Sequence, residues 1–124
     1  MAAWTKDELS RIATADELQL ASRRPDGTLR TPVTMWVVRD GDDLYVRSIH
    51  GRTGSWFRGT QARHDGHIHS GGVDREVRFA DADSAIGDRI DAAYRSKYHG
   101  YASSIVDTVV NADARSATVK LVPH

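Results

Sequence analysis

A basic, hydroxyl-rich loop between residues 47 and 55 is the stretch of this sequence best suited to bind an anion. Arg47 and Ser48 precede the run His50-Gly51-Arg52-Thr53-Gly54-Ser55, and Trp56-Phe57-Arg58 opens a predicted helix. Backbone N–H groups at the start of a helix lack intrahelical partners, and the helix dipole there favours negative charge. We therefore expect the loop to hold a negatively charged small molecule. The alternative is an ordinary strand–helix connection whose arginines face solvent.

Hydrophobic periodicity and turn residues predict the elements that position this loop. The predicted strands span residues 17–22, 28–39, 44–49, 67–70, 73–80 and 117–122. Predicted helices begin at Thr5, which forms a capping box with Glu8, near Thr53 or Ser55, at Asp83 or Ser84, and near Ala102. Gly100 is expected to end the third helix. Predicted turns lie at residues 24–27, 40–43, 65–66 and 71–72.

The order of these elements indicates an α+β fold that is mainly β. Tight turns between successive strands predict an antiparallel sheet, and the last strand must return to that sheet after two helices. This return favours closure into a small barrel of six strands with flanking helices, which would also remove exposed strand edges. The length of 124 residues predicts one domain, residues 1–124.

Composition excludes several classes of protein. Lysine plus arginine and aspartate plus glutamate number 17 each, so the formal net charge is zero and a nucleic-acid partner is not expected. Without cysteine there is no disulfide, thiolate metal site or thiol nucleophile. The chain has no apolar run of the ~20 residues that a membrane helix needs, and its polar start predicts no secretion signal. We therefore expect a cytoplasmic protein without a membrane partner.

A more specific pattern runs from residue 30 to residue 57. Its segments are Arg30-Thr31-Pro32, Met35-Trp36-Val37-Val38, Asp40-Gly41, Leu44-Tyr45-Val46-Arg47-Ser48, Gly51 and Trp56-Phe57. In these segments the sequence resembles the split-barrel flavin-binding superfamily, which includes pyridoxamine-phosphate oxidases and deazaflavin-dependent nitroreductases. It is similar over nearly its whole length to a small uncharacterised domain family of that superfamily, through Trp4, Glu8-Leu9, Ala15-Asp16-Glu17-Leu18, Arg24, Asp26-Gly27, Ala93-Tyr94, Lys97-Tyr98 and Leu121-Val122-Pro123.

The resemblance implies a six-stranded antiparallel split β-barrel, usually a homodimer, with FMN or a deazaflavin coenzyme between the protomers. The implied phosphate ligands are Arg47, Ser48, Arg52, Thr53 and Ser55, with Trp56 packing beside them. Arg30, Thr31 and Pro32 would lie near the ring system. Two features differ from these relatives. Arg58-Gly59 and Ala62-Arg63 stand where the deazaflavin enzymes usually have Asn-Leu and Asn-Pro, and the lysine that many flavin-binding relatives carry near the phosphate is missing, so arginine would replace it.

Three other groups of residues could take part in chemistry. Lys97 and Tyr101 are candidate proton donors in a pocket wall, although helical spacing with Tyr94 and Tyr98 also fits a core-facing helix. Trp36 and Trp56 could stack on a ring system or fill a core or dimer interface. His67 and His69 share one strand face, where they could line the groove or, with Glu76, bind a metal; we predict no metal site because surface histidines are commoner.

Hydride transfer from a flavin or deazaflavin to a small organic substrate is the activity that the resemblance implies. Two other functions fit the same barrel, because a fold does not fix a function. One is a non-redox isomerase or cyclase that uses an acid–base pair such as a histidine with Lys97. The other is a protein that binds a small anionic ligand without turning it over.

Overall fold

The computed structural model describes residues 3–124, in which an antiparallel sheet is flanked by five helices. The strands are β1 (Leu18–Ser22), β2 (Val33–Met35), β3 (Val38–Asp40), β4 (Asp43–Arg47), β5 (Asp65–Ser70), β6 (Val73–Asp81) and β7 (Thr118–Pro123). The helices are α1 (Lys6–Thr14), α2 (Ser55–Ala62), α3 (Gly87–Lys97), α4 (Ser103–Val110) and α5 (Ala112–Ser116). Short 3-10 turns at Gly51–Thr53 and Ser84–Ile86 precede α2 and α3. No helix within residues 3–124 is long and apolar enough to cross a membrane.

The sheet has seven strands in the order β2-β1-β5-β6-β7-β4-β3, so the predicted count of six was wrong. The single strand predicted over residues 28–39 is broken at Trp36 and Val37 into β2 and β3. β2 pairs with β1 at one edge of the sheet, whereas β3 pairs with β4 at the other. The apolar run does form strands, but its two parts pair with different strands, β2 with β1 and β3 with β4.

The Trp36–Val37 connection forces the sheet to curl. Neighbouring strands lie about 4.8 Å apart, so the two edges of a flat seven-stranded sheet would be ~29 Å apart. The chain from Met35 to Val38 makes three Cα steps and can span at most ~11 Å. The two edge strands must therefore approach each other, which gives the curled, barrel-like sheet.

Side chains of α3 and its C-terminal end satisfy the backbone where the strand breaks. The Val37 N–H donates to the Tyr98 hydroxyl at 3.2 Å, and Lys97 Nζ donates to the Val37 carbonyl at 2.7 Å. The Tyr98 hydroxyl in turn donates to the Asp16 carbonyl at 2.7 Å. These bonds replace the ladder hydrogen bonds that a continuous strand would have made.

Some of the caps and turns predicted from local sequence signals are confirmed, and others were wrong. The Thr5–Glu8 capping box and the turn at Gly71-Gly72, whose glycines have φ of 57° and 81°, are confirmed. The turn predicted at residues 65–66 was wrong, because both residues belong to β5. The α2 cap is Gly54 rather than Thr53 or Ser55, and α3 ends at Lys97 before Gly100 is reached. Helix α5 was not predicted; the Asn111 side chain caps it.

Two apolar cores lie on opposite faces of the sheet. Leu44 and Val46 of β4 point into a core that also contains Leu9, Ile12 and Phe57. Val38 and Tyr45 face the other way, onto a second core formed with α3 and α4 through Ile90, Tyr94, Tyr98, Val106, Val109 and Val110. Strands buried on both faces carry continuous apolar runs, as Leu44-Tyr45-Val46 does in β4, whereas Val33 and Thr34 of β2 are exposed.

Candidate functional site

An apolar groove of about 390 Å³ opens between the β2 edge, the loop after β4 and helix α4. Trp36 and Met35 form one wall, Trp56 and His50 lie beside the loop, and Ile105 belongs to α4. The remaining lining residues are Val33, Thr34, Arg47, Ile49, Thr108 and Val109. A concave site with aromatic walls and few polar groups suits a flat organic ring.

A cationic pocket of about 290 Å³ continues this groove beyond Trp56 and Val33, which line both cavities. Arg24, Arg30 and Thr31 lie in it. A third cavity, also about 290 Å³, shares Arg30 and Ser55 with the second and adds Arg58, Gly59 and Ala62. The three cavities adjoin one another through these shared lining residues, and we refer to them together as the groove, with an apolar half and a cationic half.

The arginines of the cationic half form no salt bridge with any carboxylate in residues 3–124. Within residues 3–124, most arginines form salt bridges with carboxylates; those that do not are Arg24, Arg30, Arg52, Arg58 and Arg78. Three of these line the cationic half, where no described Asp or Glu side chain is found. Guanidinium groups without salt bridges that line a cleft raise the local concentration of anions. Net charge alone, which is zero, gives no sign of this site.

The start of helix α2 adds backbone donors to the same place. Gly54 is its N-cap and provides no side-chain oxygen, so the first-turn N–H groups of Ser55 and Trp56 have no side-chain cap. The Arg30 Nε atom is buried and has no hydrogen-bond partner. A buried donor without a partner costs about 1–3 kcal/mol.

Arg47, expected at the phosphate, has its guanidinium in the protein interior. Its Nε donates to Thr118 Oγ1 at 2.9 Å, Nη1 donates to Asp91 and to the Val109 carbonyl at 2.9 Å, and Nη2 donates to the Gly87 carbonyl at 3.1 Å. The residue is only 2% exposed. Arg47 thus joins β4, β7, α3 and α4, and contributes to the groove wall without a free charge.

The other predicted ligands separate into two groups. Arg30, Thr31, Ser55 and Trp56 lie together in the groove. The remainder lie elsewhere. Arg52 donates to the Ser116 carbonyl at 3.0 Å and lines a different cavity, and Thr53 Oγ1 donates to the His50 carbonyl. Ser48 is buried beneath Gly54, and Pro32 is exposed outside the groove lining.

Lys97 and Tyr101 occupy different environments. Lys97 Nζ donates to the carbonyls of Val37 and Ile12, and burial lowers its pKa to about 8 despite the nearby Asp16 charge. Tyr101 is exposed, and its ring lies 4.9 Å from that of Trp36, at the margin of the apolar half. Tyr101 is therefore near the groove, whereas the Lys97 ammonium is bound to backbone oxygens.

The histidines of β5 pair with carboxylates of β6. His67 Nδ1 lies 2.7 Å from Glu76 Oε2, and His69 Nδ1 lies 2.9 Å from Asp74 Oδ1. Burial acts to lower the pKa of His67, but the hydrogen bonds and charges of Glu76 and Asp74 outweigh it and raise this pKa. In residues 3–124 no three His, Asp or Glu side chains are arranged to hold a metal ion.

Comparison with protein families shows the family of this chain. A family model described as "Uncharacterized protein conserved in bacteria (DUF2255)" matches residues 8–121. The chain belongs to this family. The sequence matches no curated protein.

Solved structures place the DUF2255 chain among split-barrel proteins. A candidate pyridoxamine 5′-phosphate oxidase from Listeria innocua aligns with a TM-score of 0.64 at 15% identity, covering 94% of this chain and 90% of the other. An F420 reductase aligns at 0.57 and 23% identity, covering 93% and 90%. An FAD-binding protein from Mesorhizobium loti aligns at 0.57 and 15% identity, covering 98% and 89%. The resemblance to this superfamily is confirmed at the level of fold.

Several groove residues of the DUF2255 chain were missed in the sequence. Arg58 could have been found, because it lies three residues after Ser55 and such residues share one helix face. Met35, Ile49 and Ile105 gave no usable signal, since they come from a strand, a loop and a helix that only tertiary packing brings together.

Proposed function

We propose that this DUF2255 protein binds a flavin-type cofactor in the groove and transfers hydride to a small organic substrate. The observation that carries the proposal is the union of an aromatic-walled apolar half with a cationic half free of described carboxylates. A flavin or deazaflavin coenzyme has the same division into a flat ring and an anionic tail. The printed names of two fold relatives, an F420 reductase and an FAD-binding protein, support this choice.

The phosphate group of such a cofactor fits the beginning of α2. Arg30 has a buried Nε without a hydrogen-bond partner next to Gly59 of α2, and Ser55 offers an uncapped N–H and a hydroxyl. Thr31 adds a second hydroxyl. Charge-assisted hydrogen bonds of this kind are shorter and about twice as strong as neutral ones. These residues would fix the anionic end and, through it, the position of the ring.

The ring would lie in the apolar half, where Trp36, Met35 and Trp56 exclude water from it. When bound, the cofactor supplies the hydride, and the protein's contribution is binding and orientation. Tyr101, at the edge of the groove, is the proposed proton donor to the substrate. Lys97 supports the same wall by holding the Val37 carbonyl.

A homodimer would complete the groove. Val33, Ile49 and Ile105 line its apolar half and are 38%, 50% and 48% exposed. Large apolar side chains grouped on one surface mark a binding face. We propose that a second copy of the chain covers this face, so that the cofactor lies between protomers.

Ligand-induced stabilisation tests the proposal directly. The purified protein is mixed with FMN, FAD or a deazaflavin coenzyme, and its thermal unfolding and visible absorbance are recorded. A ligand at ~100 times its dissociation constant should add about 2.7 kcal/mol to the free energy of unfolding. Arg30→Met should weaken binding about tenfold or more, since a hydrogen bond to a charged group contributes ~1.5–3 kcal/mol.

Arg78→Met is the matched control, because Arg78 also forms no salt bridge but lies on the exposed face of β6 away from the groove. This variant should bind as the natural protein does. If none of the three cofactors changes the unfolding temperature or acquires a bound spectrum, cofactor binding is rejected. A protein that binds them and reduces no acceptor would instead be a ligand-binding module.

A further inference from the structure

We propose that the groove selects a cofactor whose tail carries at least two anionic groups, and that Arg58 binds the second of them. This inference rests on the proposed function and makes it more specific. It distinguishes dinucleotide flavins and polyanionic deazaflavin coenzymes from a mononucleotide with one phosphate. The relevant residues are Arg24, Arg30 and Arg58.

The cationic half is longer than one anion requires. Its two cavities are of similar size, about 290 Å³ each, and Arg30 lies at their junction. The cavity that adjoins the apolar half, called the inner cavity here, also contains Arg24, whose Nη1 donates to the Leu29 carbonyl at 2.7 Å and is thereby held in place. The other cavity, called the outer cavity here, follows helix α2 and contains Arg58. Guanidinium groups are thus distributed along the groove instead of gathered at one point.

Helix geometry separates two anion positions. Ser55, Arg58, Gly59 and Ala62 line the outer cavity at intervals of three and four residues, so the cavity follows one face of α2 over ~10 Å. The helix dipole acts only within the first turn. An anion at Ser55 can use it, but an anion further along α2 must be attracted by a side chain. Arg58 is the basic side chain present there.

The lack of a protein partner for Arg58 supports this assignment. Its side chain forms no hydrogen bond or salt bridge with any group in residues 3–124, whereas Arg63, near the end of the same helix, is paired with Asp65 at 2.7 Å. Gly59 lies next to Arg58, where a Cβ atom would be 3.3 Å from Arg30 Nε. The missing side chain at residue 59 lets Ser22 and Arg30 pack closely against α2.

The chemistry of these residues identifies the ligand class. Guanidinium groups bind phosphate and carboxylate oxygens in bidentate fashion. A diphosphate, or a phosphate followed by carboxylates, would occupy both cavities. A single phosphate held at Ser55 and Arg30 would leave Arg58 unused.

Comparing tails of different charge tests the inference. Dissociation constants are measured by titration for riboflavin, FMN and FAD, and for a deazaflavin with and without its anionic tail. Each ligand is titrated into the natural protein, Arg58→Gln and the control Arg78→Gln. We expect FAD or the tailed deazaflavin to bind about tenfold or more tightly than its shorter counterpart, the value for one charged hydrogen bond at an exposed site.

Arg58→Gln should abolish that preference while leaving FMN binding within about twofold, and Arg78→Gln should keep the preference intact. The preference should also fall as salt rises from 0.05 M to 0.5 M, because exposed charges are screened. Equal affinities for FMN and FAD and for both deazaflavins, or an equal loss for all ligands in Arg58→Gln, would overturn the inference and leave the proposed function standing. Absence of binding by every ligand would reject both.

Discussion

The phenol ring of Tyr98 stacks on the indole of Trp36, with ring centroids 3.9 Å apart and ring planes 5° from parallel. The same tyrosine accepts a hydrogen bond from the Val37 N–H, so one residue holds both the side chain and the backbone of the strand break. Because Trp36 also walls the apolar half of the groove, the geometry of the site depends on this contact.

Tyr98→Phe should destabilise the protein while preserving the stack. Loss of the hydroxyl leaves the buried Val37 N–H without its acceptor, and such a loss costs about 1–3 kcal/mol. The free energy of unfolding in urea measures it. Tyr101→Phe is the control, because the Tyr101 ring is 43% exposed and the change should stay within about 0.5 kcal/mol. Equal effects of the two variants would show that the Tyr98 hydroxyl has no structural role.

Arg47→Met should cost about 3 kcal/mol of stability. The change removes the partner of the half-buried Asp91 carboxylate, and breaking a buried ion pair typically costs ~3–5 kcal/mol. Asp91 keeps Arg115 Nη1 at 3.2 Å, which places the expected value at the lower end. The exposed pair of Arg89 with Asp40 is the control, and Arg89→Met should cost under ~1 kcal/mol.

Cofactor titration of the same Arg47 variant separates two roles. If Arg47 only supports the fold, Arg47→Met measured well below its unfolding temperature binds the flavin as before. A fully stable variant that loses binding would instead restore Arg47 as a phosphate ligand.

Lys97 should make stability rise with pH in the alkaline range. Burial lowers the pKa of its ammonium group to about 8 in the folded protein, against 10.5 as the ordinary value. Below pH 8 both states carry the charge, and the desolvation cost is present in full. Between about pH 8 and 10.5 the unfolded state binds more protons than the folded state, so the Lys97 contribution to stability increases with pH.

The difference in unfolding free energy between the natural protein and Lys97→Met isolates this effect from tyrosine ionisation. It should grow in favour of the natural protein by about 1–2 kcal/mol from pH 7.5 to 10, a value reduced for solvent screening of the partly exposed side chain. A difference that does not vary with pH would mean that the Lys97 pKa is the same in both states.

Gly66→Ala should be among the most damaging small substitutions. A Cβ at Gly66 would overlap the Ala21 carbonyl oxygen and approach the Phe79 ring at 2.9 Å, so β1, β5 and β6 would have to separate. Overpacking of this kind costs ~1–3 kcal/mol or more. Gly100→Ala is the control: no atom lies within 4 Å of its Cβ, and the change should be neutral or slightly stabilising. Similar midpoints for both variants in urea would contradict the close approach.

The close contacts at Gly66 also explain why the turn predicted at residues 65–66 was wrong. Asp-Gly is a strong turn signal when only neighbours in sequence are considered. Here the glycine is required because the Ala21 backbone and the Phe79 ring pass close to it. Residues that are distant in sequence decided its role, and no local pattern contains them.

Local structure was determined by the sequence itself, because it depends on short-range physical chemistry. The Thr5–Glu8 capping box, the Gly71-Gly72 turn and the alternation of β6 involve residues within a few positions of each other. The seventh strand and the composition of the groove were decided only by tertiary structure. One apolar run supplies strands to both edges of a curled sheet, and Arg47 is bonded to partners up to 71 residues away. Arg24, Arg30 and Arg58 form no salt bridge within residues 3–124, and no described carboxylate lines the cavities in which they lie.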